Sequence, residues 1–429
     1  MSEQMLERVN KACNLFNETY NANYLTKYPD IKNIFFDVRN LYEKKYKKFP
    51  NANKTFMSLV YNLANPEKQP VVDYLTGPSV ISKWESTKYN KVIYLFGEND
   101  HSNKTGCIQS NINLQAKKHM KIEQYLMDLF KHSPVFIDFY VELDLFIDKS
   151  PLEFAKNDGN NTLNDILYQM KGCFGPLIER KCPYNVRMHS VDVRRIKSDK
   201  FKKSKLGDMF NFFHMWDYVT STEYMNTIYN PGKVQWIQHE RNKFKDQINI
   251  MSKVKNIDDI FEIIFTEISN NNIINKELSR SIISKQKIVD IYKIILKTDL
   301  KILNSSVKYK ILNPKHIGPW FERFKTINLT LDINDKFWDD LNNIFLFLKI
   351  INAVTVDVYT TARMFKVFDV KENEHYPKEP HNIIYYAGSG HTRPMGDFLQ
   401  NLGFIRTEHS DNKTLSCASM KGITQPLFS

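Results

Sequence analysis

Hydrophobic residues follow two different spacings along the chain, and the change of spacing divides it into regions. Apolar residues recur at every third or fourth position in residues 1–88, which predicts a mostly helical N-terminal region. In residues 89–205, short runs rich in β-branched and aromatic residues alternate with helical stretches. Because this alternation is typical of parallel sheets, the pattern predicts the first part of an α/β core there.

The helical spacing returns after this first part of the core. Residues 206–350 carry strongly apolar helical stripes and are predicted to form a helical insertion. The later run "NIIYYAGSGH" has the composition of a strand, so residues 351–408 are predicted to be the second part of the core. Residues 409–429 are polar and are predicted to be a C-terminal tail. The predicted fold class is therefore α/β, a mainly parallel sheet with crossover helices, N-terminal helices and a large helical insertion.

Each strand-like run of the predicted core ends in charged or imidazole side chains. The first of them, "VIYLFGENDH", stops its apolar sequence abruptly at Gly97. Parallel strands all end at one edge of a sheet, and open α/β folds bind their ligands beyond that edge. The sequence therefore predicts one shared polar site, formed by Glu98, Asp100, His101, Glu142, Asp192, Arg194 and His391.

Two kinds of chemistry fit this set of side chains. Histidines and carboxylates bind divalent metals, and the candidate ligands are Glu98, Asp100, His101, Glu142 and His391. Without a metal, the same groups act as bases that activate a water, and an arginine stabilises a developing oxyanion. A purely structural ion pair between Glu142 and Arg187 or Arg194 is a further interpretation. Of these chemistries, hydrolysis by an activated water accounts best for the types of side chain present. The candidate catalytic residues are Glu98, His101, Glu142, His391, Asp192 and Arg194.

Charge and cysteine content add expectations about partners and location. The formal net charge is +12, and residues 194–205, "RRIKSDKFKKSK", hold seven Lys or Arg against one Asp. We expect an exposed loop there with weak electrostatic binding to nucleic acid. The five cysteines are scattered without a CxxC pair, which predicts reduced thiols and an intracellular location. The sequence also lacks the long apolar run of a membrane span and the layout of a signal peptide, so we expect neither membrane insertion nor secretion.

The glycine and histidine motifs resemble those of the superfamily that joins Tiki proteases, erythromycin esterases and ChaN-like haem-binding lipoproteins. The segment "GSGH" ending at His391 matches the late Gly-x-x-His motif, and Glu142 matches the middle carboxylate by position. Gly97 and Glu98 begin the first motif, but the expected histidine position holds Asp100, and His101 follows one residue later. The resemblance covers roughly 91–195 and 346–405. Segments such as "RMHSVDVR" look similar to uncharacterised proteins of large DNA viruses.

The resemblance implies an esterase-like or metalloprotease-like hydrolase that acts on a peptide or ester bond, with a divalent metal ion of unknown identity in some members. Because members of the superfamily also include haem-binding proteins without hydrolysis, fold likeness does not select the chemistry. Two other functions stay open. One is a non-catalytic viral structural or interaction protein with a degenerate site, in the host cytoplasm or the virion. The other is a basic nucleic-acid-associated protein, for which the sequence holds no recognition motif.

Overall fold

The apolar runs predicted as strands form neighbouring strands of a six-stranded, mainly parallel sheet within a mixed α/β fold. The computed structural model describes residues 68–99, 118–146, 162–170, 185–197, 231–305, 314–327, 335–369, 377–411 and 416–428, together with residues 62, 107, 173, 182 and 183. Its strand order is β6-β5-β7-β3-β2-β8. The six strands are β2 (Val80–Ser86), β3 (Lys91–Glu98), β5 (Ile137–Phe146), β6 (Val186–Lys197), β7 (Asn382–Gly388) and β8 (Ile405–Asp411).

The strands β3, β5 and β7 run parallel to one another, with β7 in the middle. Both β3 and β7 are near-continuous apolar runs because parallel strands are buried on both faces of the sheet. Their register places Glu98 level with Gly388, so these two strands end together. The outer strands β2 and β8 pair in antiparallel fashion. The carboxyl ends of the parallel strands therefore lie at one edge of the sheet.

One face of the sheet packs on two helices and a second, smaller sheet. The helices are α1 (Ile122–His132) and α2 (Thr162–Gln169), and the small sheet has the order β4-β1-β9. Its strands are β1 (Tyr74–Thr76), β4 (His119–Lys121) and β9 (Cys417–Ser419). Residues of β3, β5 and β7 join these elements in one buried cluster that includes Phe96, Val141 and Tyr386.

The other face carries the helix α10 (Ser389–Asn401), which begins directly after β7. Gly396 allows this helix to approach the sheet closely. A Cβ atom at Gly396 would lie only 3.1 Å from Cζ2 of Trp84 on β2. This helix therefore places its first turn, which contains His391, at the edge where the parallel strands end.

The chain divides into two compact units, and the second, Asp192–Arg363, holds most of the remaining helices. A local signal begins one of them: the helix Ile257–Asn270 starts at a capping box in which Asn256 and Asp259 bond to each other's backbone amides. Within the described ranges, no helix is long and apolar enough to cross a bilayer. The helices are α3 (Pro231–Lys243), α4 (Lys245–Met251), α5 (Ile257–Asn270), α6 (Asn272–Leu278), α7 (Lys285–Ser305), α8 (Ile317–Thr326) and α9 (Asp335–Met364).

The structure differs from the sequence expectations at both ends of the chain. The region 1–88, predicted to be helical, contains the strands β1 and β2, and its first 61 residues lie outside the described part. The region 409–429, predicted to be a polar tail, contains the end of β8 and all of β9. It also buries Met420, Ile423 and Leu427 in the core cluster. The helix α9 continues past residue 350, the predicted end of the insertion.

The state of the cysteines also differs from the sequence expectation. The sequence predicted five reduced thiols, but the structure pairs Cys107 with Cys417 and Cys173 with Cys182 in disulfides. The fifth, Cys13, lies outside the described residues. Both members of the first pair are almost completely buried, and Cys173 and Cys182 belong to the core cluster. Spacing along the sequence could not reveal the first pair, because its members are 310 residues apart.

Candidate functional site

Glu98 ends β3 on the face that packs against α1 and α2. Side chains alternate between the faces of a strand, so Glu98 points the same way as Tyr94 and Phe96, which both lie in the core cluster. Its side chain is 1% exposed. It accepts two hydrogen bonds of 2.7 Å, from Thr162 Oγ1 to Oε1 and from the Tyr386 hydroxyl to Oε2. Burial, followed by the charge of Glu98, raises the pKa of Tyr386 well above its usual value.

Glu142 and His391 form a contact of their own. His391 Nε2 lies 3.0 Å from Glu142 Oε1, and both side chains are more than nine-tenths buried. The second carboxylate oxygen, Oε2, accepts a hydrogen bond of 2.9 Å from the Gly388 N–H at the start of α10. The carboxylate thus lies at the positive end of the helix that carries His391, where the helix dipole favours negative charge.

The strand register puts these two groups on opposite faces of the sheet. Val141 pairs with Tyr386 and shares its face, together with Glu98. Because successive residues alternate, Glu142 points to the other face, where α10 lies. The structure therefore brings together two residues of the predicted shared site, Glu142 and His391, and places Glu98 in the opposite layer.

Asp192 and Arg194, both on β6, bond to each other, with 2.9 Å between Arg194 Nε and Asp192 Oδ1. Asp100 and His101 lie outside the described residues, as does the basic stretch beyond residue 197. Glu142 contacts His391, and a structural ion pair of Glu142 with Arg187 or Arg194 stays a prediction.

A divalent metal is not favoured by the groups whose positions are known. Among the described residues, no three His, Cys, Asp or Glu side chains are grouped so that they could hold a metal ion. Glu142 and His391 offer two ligand atoms, but these atoms face each other at 3.0 Å and a second carboxylate oxygen is bonded to a backbone amide. Because structural and catalytic zinc sites use three or four protein ligands, the pair as arranged does not fit such an ion.

No protein-family model matches this chain, and neither a curated protein nor a solved structure matches it. The site must therefore be interpreted from its own geometry.

A buried ionic cluster that sequence reasoning missed lies at the start of β5 and β6. Asp138 accepts hydrogen bonds from Arg187 Nε at 2.6 Å, from Arg187 Nη2 at 3.2 Å and from His189 Nε2 at 2.8 Å. The imidazole of His189 stacks on Tyr140 with 4.2 Å between ring centroids. The signal in the sequence is an aspartate inside the apolar run "VFIDFYV", since an acidic residue at a buried strand position needs a partner.

Gly97 sets the position of α10 against the end of β3. A Cβ atom at residue 97 would lie 2.5 Å from Thr392 Oγ1, closer than nonbonded atoms approach. We expect Gly97→Ala to lower the free energy of unfolding by about 1–3 kcal/mol, because overpacking displaces the helix. Denaturant unfolding checks this, and Thr392→Ala in the same chain should restore much of the loss. If Thr392→Ala leaves the destabilisation by Gly97→Ala unchanged, the contact between residue 97 and Thr392 is not its cause.

Proposed function

We propose that this protein is a hydrolase-like enzyme in which Glu142 and His391 form a general-base pair acting on a peptide or ester bond. The observation that carries the proposal is the 3.0 Å contact between His391 Nε2 and Glu142 Oε1 near the carboxyl end of β7. This edge is where α/β sheets place their ligands. The class of bond comes from the resemblance of the "GSGH" motif and Glu142 to the Tiki and erythromycin esterase superfamily.

In this proposal each group has a role in proton transfer. When Nε2 carries the proton and donates it to Glu142, Nδ1 of His391 is the acceptor that takes a proton from an attacking water. Glu142 holds the imidazole ring in its orientation and stabilises the imidazolium that forms. This is the role of the aspartate in a Ser-His-Asp triad. The Gly388 N–H fixes Glu142 in turn. The first turn of α10 supplies positive potential for the developing oxyanion.

The experiment is a comparison of variants on a panel of aryl esters and fluorogenic peptides. His391→Asn and Glu142→Gln should each lower kcat/KM by about 10²–10⁴-fold, the range that general-base catalysis contributes. His239→Asn is the matched control because that histidine side chain is 74% exposed. Activity that survives His391→Asn unchanged would remove the general-base assignment.

Metal dependence is a separate arm of the same experiment. Metal content of the purified protein is measured by plasma mass spectrometry, and activity is measured before and after chelation. Because Glu142 and His391 bond to each other, we expect chelation to leave the activity of the pair unchanged. Loss of activity on chelation, with recovery on adding a divalent ion, would assign the site to a metal with ligands beyond this pair.

A non-catalytic interaction protein is the second candidate, and one observation favours it. Glu142 is bonded on both oxygens, to His391 and to the Gly388 N–H, which suits a carboxylate that docks α10 onto the sheet. In that case His391→Asn should lower the melting temperature while no member of the substrate panel is hydrolysed by the unmodified protein. Hydrolysis that depends on His391 would decide for the enzyme.

A further inference from the structure

A groove with a volume of about 800 Å³ lies between the outer side of α10 and the β2–β8 side of the sheet. It is separate from the Glu142–His391 pair. His391 lies on the buried side of α10, whereas Arg393 and Gly390 lie on the exposed side that lines the groove. The volume falls in the range of small-molecule sites.

The floor of the groove is apolar and includes Trp84, Leu95 and Phe404. Gly396 makes this floor continuous, because its missing side chain lets the Trp84 ring lie directly against the helix. At one end of the groove Ile405 is 68% exposed. A flat aromatic or aliphatic body fits such a floor.

Two arginines reach the groove from opposite walls. Arg393 projects from α10, and Arg406 projects from β8 with its guanidinium 5.9 Å from the centre of the Trp84 ring. His409 also lines the groove, and its pKa is lowered by burial and by the charge of Arg406, against the opposing charge of Asp411. Asp397 and Asp411 also line the groove, and Asp397 lies 4.0 Å from Arg393.

The first turn of α10 borders the groove. Its N-cap residue is Gly388, which has no side chain to cap the helix, and Ser389 and Gly390 line the groove. A Cβ atom at Gly390 would meet no atom within 4 Å, so the space beside this turn is open.

We propose that this groove binds an organic anion, with a carboxylate or phosphate held between Arg393 and Arg406 and an aromatic or aliphatic body on the Trp84–Leu95–Phe404 floor. The proposal uses neither Glu142 nor His391, so the arginine variants leave the proposed general-base pair intact. Cation–π contact with Trp84 holds the Arg406 guanidinium over the floor, where an anion meets it.

Two dyes with the same rings test the proposal on the full-length protein. The first, 1-anilinonaphthalene-8-sulfonate, is an anion, and N-phenyl-1-naphthylamine is its uncharged counterpart. We expect saturable binding of the anion, weakened about tenfold by Arg393→Gln or by Arg406→Gln. Neither change should affect the uncharged dye. Arg280→Gln, which removes an exposed arginine outside the groove, is the matched control.

Competition then distinguishes the two head groups, because benzoate and phenyl phosphate displace the dye according to which anion the groove prefers. Both arginines are exposed, so the variants should keep the melting temperature of the parent protein. The proposal is overturned if the native protein shows no saturable dye binding. It is also overturned if both arginine variants bind the anion as tightly as the parent protein, or if neither competitor displaces the dye.

Discussion

Asp138→Asn is expected to lower the free energy of unfolding by about 3–5 kcal/mol, the cost of leaving a buried charge without its partner. Asp138 is 1% exposed and is bonded by two nitrogens of Arg187 and by His189. An asparagine of the same shape would turn an N–H group toward these donors. The buried guanidinium would then lack its counter-charge.

An exposed ion pair elsewhere in the chain supplies the control. Lys297 Nζ lies 2.6 Å from Asp258 Oδ1, the same separation as in the buried pair, but the two side chains are 53% and 69% exposed. Asp258→Asn should therefore cost less than about 1 kcal/mol. Guanidinium unfolding of both variants makes the comparison. Equal losses would show that burial does not govern the strength of the Asp138 contact.

The same residue predicts a pH dependence. Burial alone would raise the pKa of Asp138, but Arg187 and His189 outweigh it and hold the pKa at about 2, below the ordinary 3.8. A carboxyl group with a lowered pKa stabilises the fold fully above pH 3.8, and this stability is lost as the pH falls through 2. The parent protein should therefore lose about 2 kcal/mol from this group between pH 4 and pH 2. The loss should be absent in Asp138→Asn.

Cys107→Ser is expected to lower the free energy of unfolding by about 4–5 kcal/mol, against about 2–3 kcal/mol for Cys173→Ser. The physical reason is the length of chain that each disulfide closes in the unfolded state. Cys107 and Cys417 are 310 residues apart, whereas Cys173 and Cys182 are 9 apart. A longer closed loop removes more conformational entropy from the unfolded chain. Denaturant unfolding without reductant measures the difference.

Two controls make this prediction decisive. Under reducing conditions Cys107→Ser and the parent protein should have nearly the same stability, since neither then holds the bond. Thiol titration of the denatured, unreduced protein should detect one thiol, because two disulfides use four of the five cysteines. Detection of five thiols would mean that the chain carries the reduced cysteines first expected from its sequence.

Local pattern was sufficient for the centre of the fold. The runs around Leu95, Phe139 and Tyr385 are long, apolar and bounded by polar residues, so their strand character is a property of the segment itself. The same is true of the helical periodicity in α5 and α7. It failed for β2, where "VISKWES" mixes apolar and charged residues because that strand lies near the side of the sheet. The local pattern also failed for Met420 and Leu427. Each is a single apolar residue in a polar stretch of sequence and is buried by residues distant in the chain.

The sequence indicated acidic and imidazole groups beside the apolar strands, because they follow directly on apolar runs. Of these groups Glu98 ends its strand, whereas Glu142 lies within β5, which continues to Phe146. Which of these groups meet was decided by tertiary structure. Glu98 lies on the same face of its strand as Phe96 and points to the α1–α2 layer. Glu142 lies on the opposite face from Val141 and points to α10 and His391. The phase of a strand relative to its neighbours follows from pairing across the sheet, and one residue of shift moves a side chain to the other face. No local window of sequence contains that pairing, since β3 and β7 are joined across nearly 300 residues.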